Sequence, residues 1–411
     1  MSTPERAPSY AAVLRTPYAA RTFLSSLTGR LSYGTVFLSL MLALTASTGS
    51  YAVAGGVIAL FGLAGSLLAP VRGGLIDRYG ARRALVPMAV VYGGTLTALA
   101  AATWRPGTAP VWLLAALGGL AGLCAPPLGP TMRSVWSEIV PEPALRQRAY
   151  SLDTVCEELL FVTGPLIAGL LAALVRPAAG VAVSAGLVLA GTLAFTAAPP
   201  LRSTARKRPV RRPRGPGGVP VQPVAAAAGL GLMLGALTLL LVVYADGRGR
   251  IEAVAWLEAA LAVGSALGGL LYGTRSWRRP ARVRLPLLTT ALAGVLAAAG
   301  LAPGLWALGA ALAVAGVLVS PALTTAYLLA DESATDENRI RIGTWVNTAF
   351  NFGSSLGSAG AGQLAGEVPV AACFALAAVP LLLSAAFAVR RRKFRSSGTL
   401  PYELTGAHQV R

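Results

Sequence analysis

Apolar runs of about 20 residues, the length that crosses a bilayer, alternate with short polar links along almost the whole chain. They lie near residues 20–45, 50–71, 84–103, 110–135, 149–174 and 178–198, and again near 223–245, 251–273, 283–301, 305–329, 341–365 and 369–389. The pattern predicts an all-α membrane protein of 12 transmembrane helices. Residues 1–200 make a first six-helix half, 201–222 a basic linker rich in proline and glycine, 223–390 a second six-helix half, and 391–411 a polar tail. The linker composition cannot bury a core and reads as a solvated connector.

Composition agrees. Of the 411 residues 55% are hydrophobic and 12% charged, with a mean hydropathy of +0.64. An ordinary soluble domain carries roughly 25% charged residues. The net charge of +19 does not suggest nucleic acid, because the basic residues sit in links between apolar runs rather than on folded polar segments. Placing both termini and the linker in the cytoplasm puts 29 of the 35 basic residues in inside segments, with Arg411 besides in the C-terminal tail; Arg105, Arg176, Arg248 and Arg250 are left outside, and Arg30 lies within a span. That asymmetry is the positive-inside rule. Abundant Ala, Gly and Arg, with Lys207 and Lys393 the only lysines, suggest a high-GC genome and hence a bacterial inner membrane. Residues 1–17 are polar and the first run is long enough to span, so no cleavable signal is expected. All three cysteines lie in apolar segments, and His408, the only histidine, lies in the tail. A disulfide framework, a histidine-ligated metal site and a Ser-His triad are not expected.

One link carries a dense motif. Gly73, Asp77, Arg78, Gly80, Arg82 and Arg83 fall within eleven residues between the second and third runs. The order Gly-x-x-x-Asp-Arg-x-Gly-x-Arg-Arg resembles the signature loop between helices 2 and 3 of major facilitator superfamily transporters, with Ala81 where that family usually has a basic residue. The resemblance implies two parallel six-helix halves, alternating access, and a small-molecule site near mid-membrane between the halves. It also implies a monomer surrounded by lipid, with no cofactor. Asp77 is then expected to face the start of span eleven when the inner side is closed. A carboxylate at a helix N-terminus is favoured there by up to about 1 kcal/mol, and Arg339 and Arg341 are also in reach.

An internal repeat supports the two halves. A shift of 194 residues lays Pro127–Thr131 over Pro321–Thr325, Asp153 over Asn347, and Glu157 over Asn351. The second copy of the charged loop, from Gly268 to Arg282, has lost the Asp-Arg pair.

Intramembrane charge points to the chemistry. Arg30 lies about ten residues into the first run, where an unpaired charge costs at least ~2.5–3.5 kcal/mol. Asp153 and Glu157, four apart in span five, share a helical face, separated by about 40° at 100° per residue. Glu158 is turned some 140° from Asp153 and matches Phe352 in the repeat, so it is expected to meet a neighbouring helix. Arg133, Asn347, Asn351 and Glu258 complete the candidate proton and substrate cavity. The alternative is an Arg30–Asp/Glu or Arg133–Glu pair that only holds helices together. Gly164, Pro165 and Gly169 resemble the Gly-Pro-x-x-x-Gly part of the fifth-helix motif of exporters in that superfamily, with Leu160 replacing its upstream glycine. Proline removes a helix hydrogen bond, and the glycines are expected to allow close packing. The arginine usual in the fourth helix of proton-coupled members is missing from Leu113–Leu123.

These features predict a secondary transporter exporting a small amphipathic molecule (a drug, metabolite or sugar) by proton antiport. The alternative is a proton-coupled importer of a sugar or organic ion. A transport-inactive receptor-like relative or a membrane enzyme has less support, since the spans hold no histidine, phosphate loop or acidic pair with metal spacing.

Overall fold

A computed structural model describes residues 9–203, 219–364 and 367–397. Most of the linker, and the end of the tail with His408, lie outside the described residues. The chain is all-α. A short surface helix α1 (Tyr10–Arg15) is followed by α2 (Ala19–Thr48), α3 (Tyr51–Leu67), α4 (Ala69–Tyr79), α5 (Ala81–Trp104), α6 (Val111–Cys124), α7 (Leu128–Ile139), α8 (Pro143–Leu174), α9 (Pro177–Thr196) and α10 (Pro199–Ser203). After the linker come α11 (Val221–Asp246), α12 (Ala253–Thr274), α13 (Ala281–Ala299), α14 (Leu305–Glu332), α15 (Arg339–Leu364) and α16 (Val370–Ser397). Helices dominate because hydrocarbon offers the backbone no partner outside its own segment.

Among the described residues, ten helical segments are long and apolar enough to cross a membrane, or 11 when the bent pair α3–α4 counts as one span. The chain is therefore a multi-pass membrane protein. The sequence pattern predicts one more span, α15, which is not among these segments. Its 26 residues include Arg339, Arg341, Asn347, Asn351 and Gln363, which lower its hydropathy below that of the other spans.

Two spans are broken, and one buried arginine sits at both breaks. Span two bends by 44° between α3 and α4, where Pro70 cannot continue the hydrogen-bond ladder. Span four breaks between α6 and α7 at Pro126 and Pro127. The break orphans carbonyls at the end of α6, and the Arg72 guanidinium takes them: Nη1 donates to Gly122 at 2.6 Å and Leu123 at 3.0 Å, while Nη2 donates to Gly65. Unpaired backbone oxygens at this depth would cost several kcal/mol each.

Helices α2–α9 pack mainly with one another, as do α11–α16. Among the described residues, the hydrogen bonds and ion pairs joining the two groups lie toward the end carrying Asp77, Gln147, Arg275 and Arg339, called the basic end below. They include Arg339 to Ser137, Arg148 to Thr274, Gln147 to Arg275 and Thr324 to Thr154.

The motif between spans two and three is not an open loop. Asp77 and Arg78 belong to the last turn of α4, and the reversal falls on Gly80 alone. That residue has φ 85° and ψ 153°, a conformation essentially restricted to glycine.

Candidate functional site

Asp153 and Glu157 do point the same way from α8, and each meets two arginines. Arg30 of α2 places Nη1 2.8 Å from Asp153 Oδ1 and Nη2 2.9 Å from Glu157 Oε1. Arg133 of α7 places Nε 3.0 Å from Asp153 Oδ2, and its Nη2 pairs with Glu157 Oε2. The four groups alternate in sign around a closed ring with no net charge. Such an arrangement suits a low dielectric, where an isolated charge is costly and a matched one is held tightly. Asp153 is fully buried and Arg30 is 2% exposed, whereas the Glu157 side chain is 22% exposed. Glu157 is thus the member a solute can reach first. Gly129 of α7 lies against the ring; a methyl group there would stand 3.2 Å from Glu157 Oε1.

The ring also touches the second group of helices. The Arg133 guanidinium lies 3.6 Å above the ring of Tyr327 on α14, and the Tyr327 hydroxyl meets Asn347 Oδ1 at 3.4 Å. Asn347 is the repeat counterpart of Asp153; it meets the Tyr327 hydroxyl directly, whereas Asp153 pairs with the Arg133 that lies over the Tyr327 ring. Tyr327 has no signal in sequence, being one aromatic within an apolar run.

Glu158 leaves the ring, as its angle on α8 requires. Its carboxylate faces the hydroxyls of Ser265 on α12 and Ser320 on α14. Both carboxylate oxygens, and both serine oxygens, are buried without a closed hydrogen bond among the described residues. A methyl group on Gly269 would press on Ser320 and, at 2.5 Å, on Val155 of α8, so the seam between the two groups is tight one turn away. Asn351 is exposed on α15. Glu258 is exposed near the start of α12, away from the ring, and makes no ion pair among the described residues.

The fifth-span motif splits. Gly164 lies directly against Gly34 of α2, where a methyl group would overlap the opposing backbone. Gly169 has open space around its Cα, so its expected packing role is corrected: the crossing of α2 over α8 is already past at that depth. Helix α8 runs unbroken through Pro165.

At the basic end, Asp77 accepts the backbone N–H groups of Ile340 at 3.1 Å and Arg341 at 2.8 Å, the first turn of α15. The contact expected from sequence is present, made through the backbone. Arg339 turns instead to Asp331 and Asp336, each at 3.1 Å, and to Ser137. A methyl group on Gly73 would stand 2.6 Å from Thr344 Oγ1 and 3.0 Å from the Arg341 Cα. Arg78 lies over the Tyr79 ring at 5.2 Å, and Arg82 and Arg83 are exposed.

Comparison with known proteins agrees with this architecture. The chain is similar in structure to the human organic anion transporter MFSD10 (TETRAN), with a TM-score of 0.70 and 16% identity, covering 94% of this chain and 100% of the other. It is also similar to a bacterial homologue of the iron transporter ferroportin in an outward-facing state, with a TM-score of 0.70 and 13% identity over 91% of this chain and 99% of that one. The same homologue with soaked iron gives a TM-score of 0.68 at 16% identity, over 92% of this chain and 99% of that one. At such identities the likeness concerns the fold. No curated protein sequence matches the chain. The sequence model of the Major Facilitator Superfamily matches residues 22–286. That match spans well over half of the chain, so the protein belongs to the Major Facilitator Superfamily, a family of membrane transporters and not of enzymes.

Proposed function

We propose that this transporter exports a small amphipathic molecule across a bacterial inner membrane in exchange for protons, with the basic end facing the cytoplasm. The observation that carries the reading is the division of labour among the acids of α8. Asp153 and Glu157 are each matched by two guanidinium groups. Glu158, next to them in sequence, stands at the seam between the helix groups with no ion pair among the described residues. The ring serves as the cargo-facing element, reached through Glu157. Glu158 carries the proton: it sits in the seam in the closed state and meets water when the groups part, so its proton and the access state move together. With the excess of basic residues on the cytoplasmic side, closure at the Asp77–Arg341 contact corresponds to an outward-facing conformation.

The test is flux in proteoliposomes over a panel of amphipathic compounds, under pH gradients of both signs. Cargo should move against the proton flow in the wild type. Glu158→Gln should keep exchange of labelled for unlabelled cargo while losing the response to the gradient. Cargo moving with the protons would make the protein an importer, and a Glu158→Gln variant still driven by the gradient would remove the assignment of the proton to this residue.

A further inference from the structure

The repeat that keeps the Asp-Arg motif in the first half has put something else in the equivalent place of the second. The turn from α12 to α13 carries Arg275, Arg278, Arg279, Arg282 and Arg284 with no acidic residue between Gly268 and Arg284. Beside it lies a cavity of about 390 Å³, lined among others by Tyr272, Arg275, Trp277, Arg278, Arg279 and Arg284.

The cavity is a built one. Tyr272 and Trp277 pack ring to ring at 4.9 Å, and the Trp277 indole N–H donates to the Tyr272 carbonyl at 3.1 Å. Arg275 lies 5.2 Å above Trp277, and Arg284 lies 5.3 Å from Tyr272 and 5.7 Å from Trp277. Arg284 is 8% exposed, and its Nε has no hydrogen-bond partner. The Glu332 carboxylate offsets part of the field at Arg284, but no carboxylate is among the described residues that line the cavity. Charges that only set topology need to be counted, not housed. Here two guanidinium groups, of Arg275 and Arg284, lie over an aromatic floor and Arg278 and Arg279 line the same cavity, a set of donors that suits the three oxygens and the charge of a phosphate group.

The same residues lock the two helix groups together. Arg284 Nη1 donates to Gln147 Oε1 of α8 at 2.9 Å. Gln147 Nε2 donates to the carbonyls of Tyr272 and Arg275, each at 3.1 Å, and Arg148 Nη2 to that of Thr274 at 2.7 Å. The cavity wall is therefore ordered by contacts that join α8 to the second helix group at the basic end. A ligand that binds one access state better shifts the population toward it.

We propose that the α12–α13 turn is an anion site for a phosphate group, either a soluble phosphate or the phosphodiester of an anionic lipid, and that its occupant favours the conformation closed at the basic end. The site does not depend on what the central ring carries or on proton coupling.

The test measures thermal unfolding of the full-length purified protein in two arms. One titrates inorganic phosphate in detergent, with ionic strength held constant by chloride. The other compares nanodiscs of phosphatidylcholine with nanodiscs containing phosphatidylglycerol. The wild type should gain a few degrees in at least one arm; a gain with phosphate identifies a soluble anion, and a gain only with phosphatidylglycerol a headgroup. Arg278→Gln/Arg279→Gln should lose the gain. Arg15→Gln/Arg21→Gln, which removes the same charge from exposed positions at the same end, should keep it. Cysteine labelling of α15 near Arg341 should show the basic end closing further when the anion binds. No gain in either arm, or equal loss in both double variants, overturns the site. A gain with unchanged labelling overturns its link to access.

Discussion

The Asp77 carboxylate accepts the backbone N–H of Arg341 at 2.8 Å, joining the last turn of α4 to the first turn of α15. One acidic side chain thereby satisfies two orphan donors of a helix start, the other from Ile340, and lies at the positive end of the α15 dipole. Hydrogen bonds to a charged acceptor are worth about 1.5–3 kcal/mol, so this contact alone can set the balance between access states.

Asp77→Asn keeps the shape but loses the charge. The population closed at the basic end should fall roughly tenfold or more, and transport should be impaired at unchanged membrane insertion. Flux at matched expression, with accessibility of a cysteine near Arg341, checks it. Wild-type flux in that variant would sink the gating role.

Gly164 and Gly169 should answer differently to one added methyl group. Gly164→Ala drives a carbon into the Gly34 backbone, which cannot yield, and should lower the unfolding temperature and the monodisperse yield. Gly169→Ala meets open space and should be neutral, or stabilising by about 0.5–1 kcal/mol through helix propensity. Equal effects would mean that α2 and α8 do not cross at Gly34.

Removing one charge from the ring should cost more at Asp153 than at Glu157. Asp153→Asn leaves buried guanidinium groups uncompensated, a change worth about 3–5 kcal/mol in comparable buried pairs. Glu157, at 22% exposure, has water to replace it, so Glu157→Gln should fold well and lose transport. Arg30→Met/Asp153→Leu should recover stability but not flux. Recovery of both would reduce the ring to a helix clamp.

Arg72→Lys should destabilise although the charge is kept. A single ammonium lacks the planar fork that reaches Gly122, Leu123 and Gly65 together. A loss of unfolding temperature comparable with that of Arg72→Gln is expected; a variant indistinguishable from wild type would show that the broken ends of α6 find other donors.

The division into spans was legible because burial in lipid demands long uninterrupted apolar runs, and the four-residue spacing of Asp153 and Glu157 was enough to put them on one face. That Arg30 and Arg133 could pair with the acids of α8 was legible as an alternative; that each acid meets both arginines in one closed ring was not. Arg30 lies 123 residues from Asp153 in sequence, and no local pattern encodes which helices become neighbours. The same holds for Glu158 against Ser265 and Ser320, and for Tyr327 beneath Arg133. The Asp77 motif looked like a loop because charge and glycine interrupt helix propensity, yet only Gly80 leaves the helical register. Span eleven misled in the opposite way, since its polar residues lower its hydropathy.

The ring of two guanidinium and two carboxylate groups has an electrical consequence. Moving one elementary charge across a membrane potential is worth about 2.3 kcal/mol per 100 mV, but a set that sums to zero can be displaced through that field almost without work. Rocking of the helices that hold Arg30, Arg133, Asp153 and Glu157 is then voltage-silent. The ring itself then adds almost nothing to any current recorded during turnover.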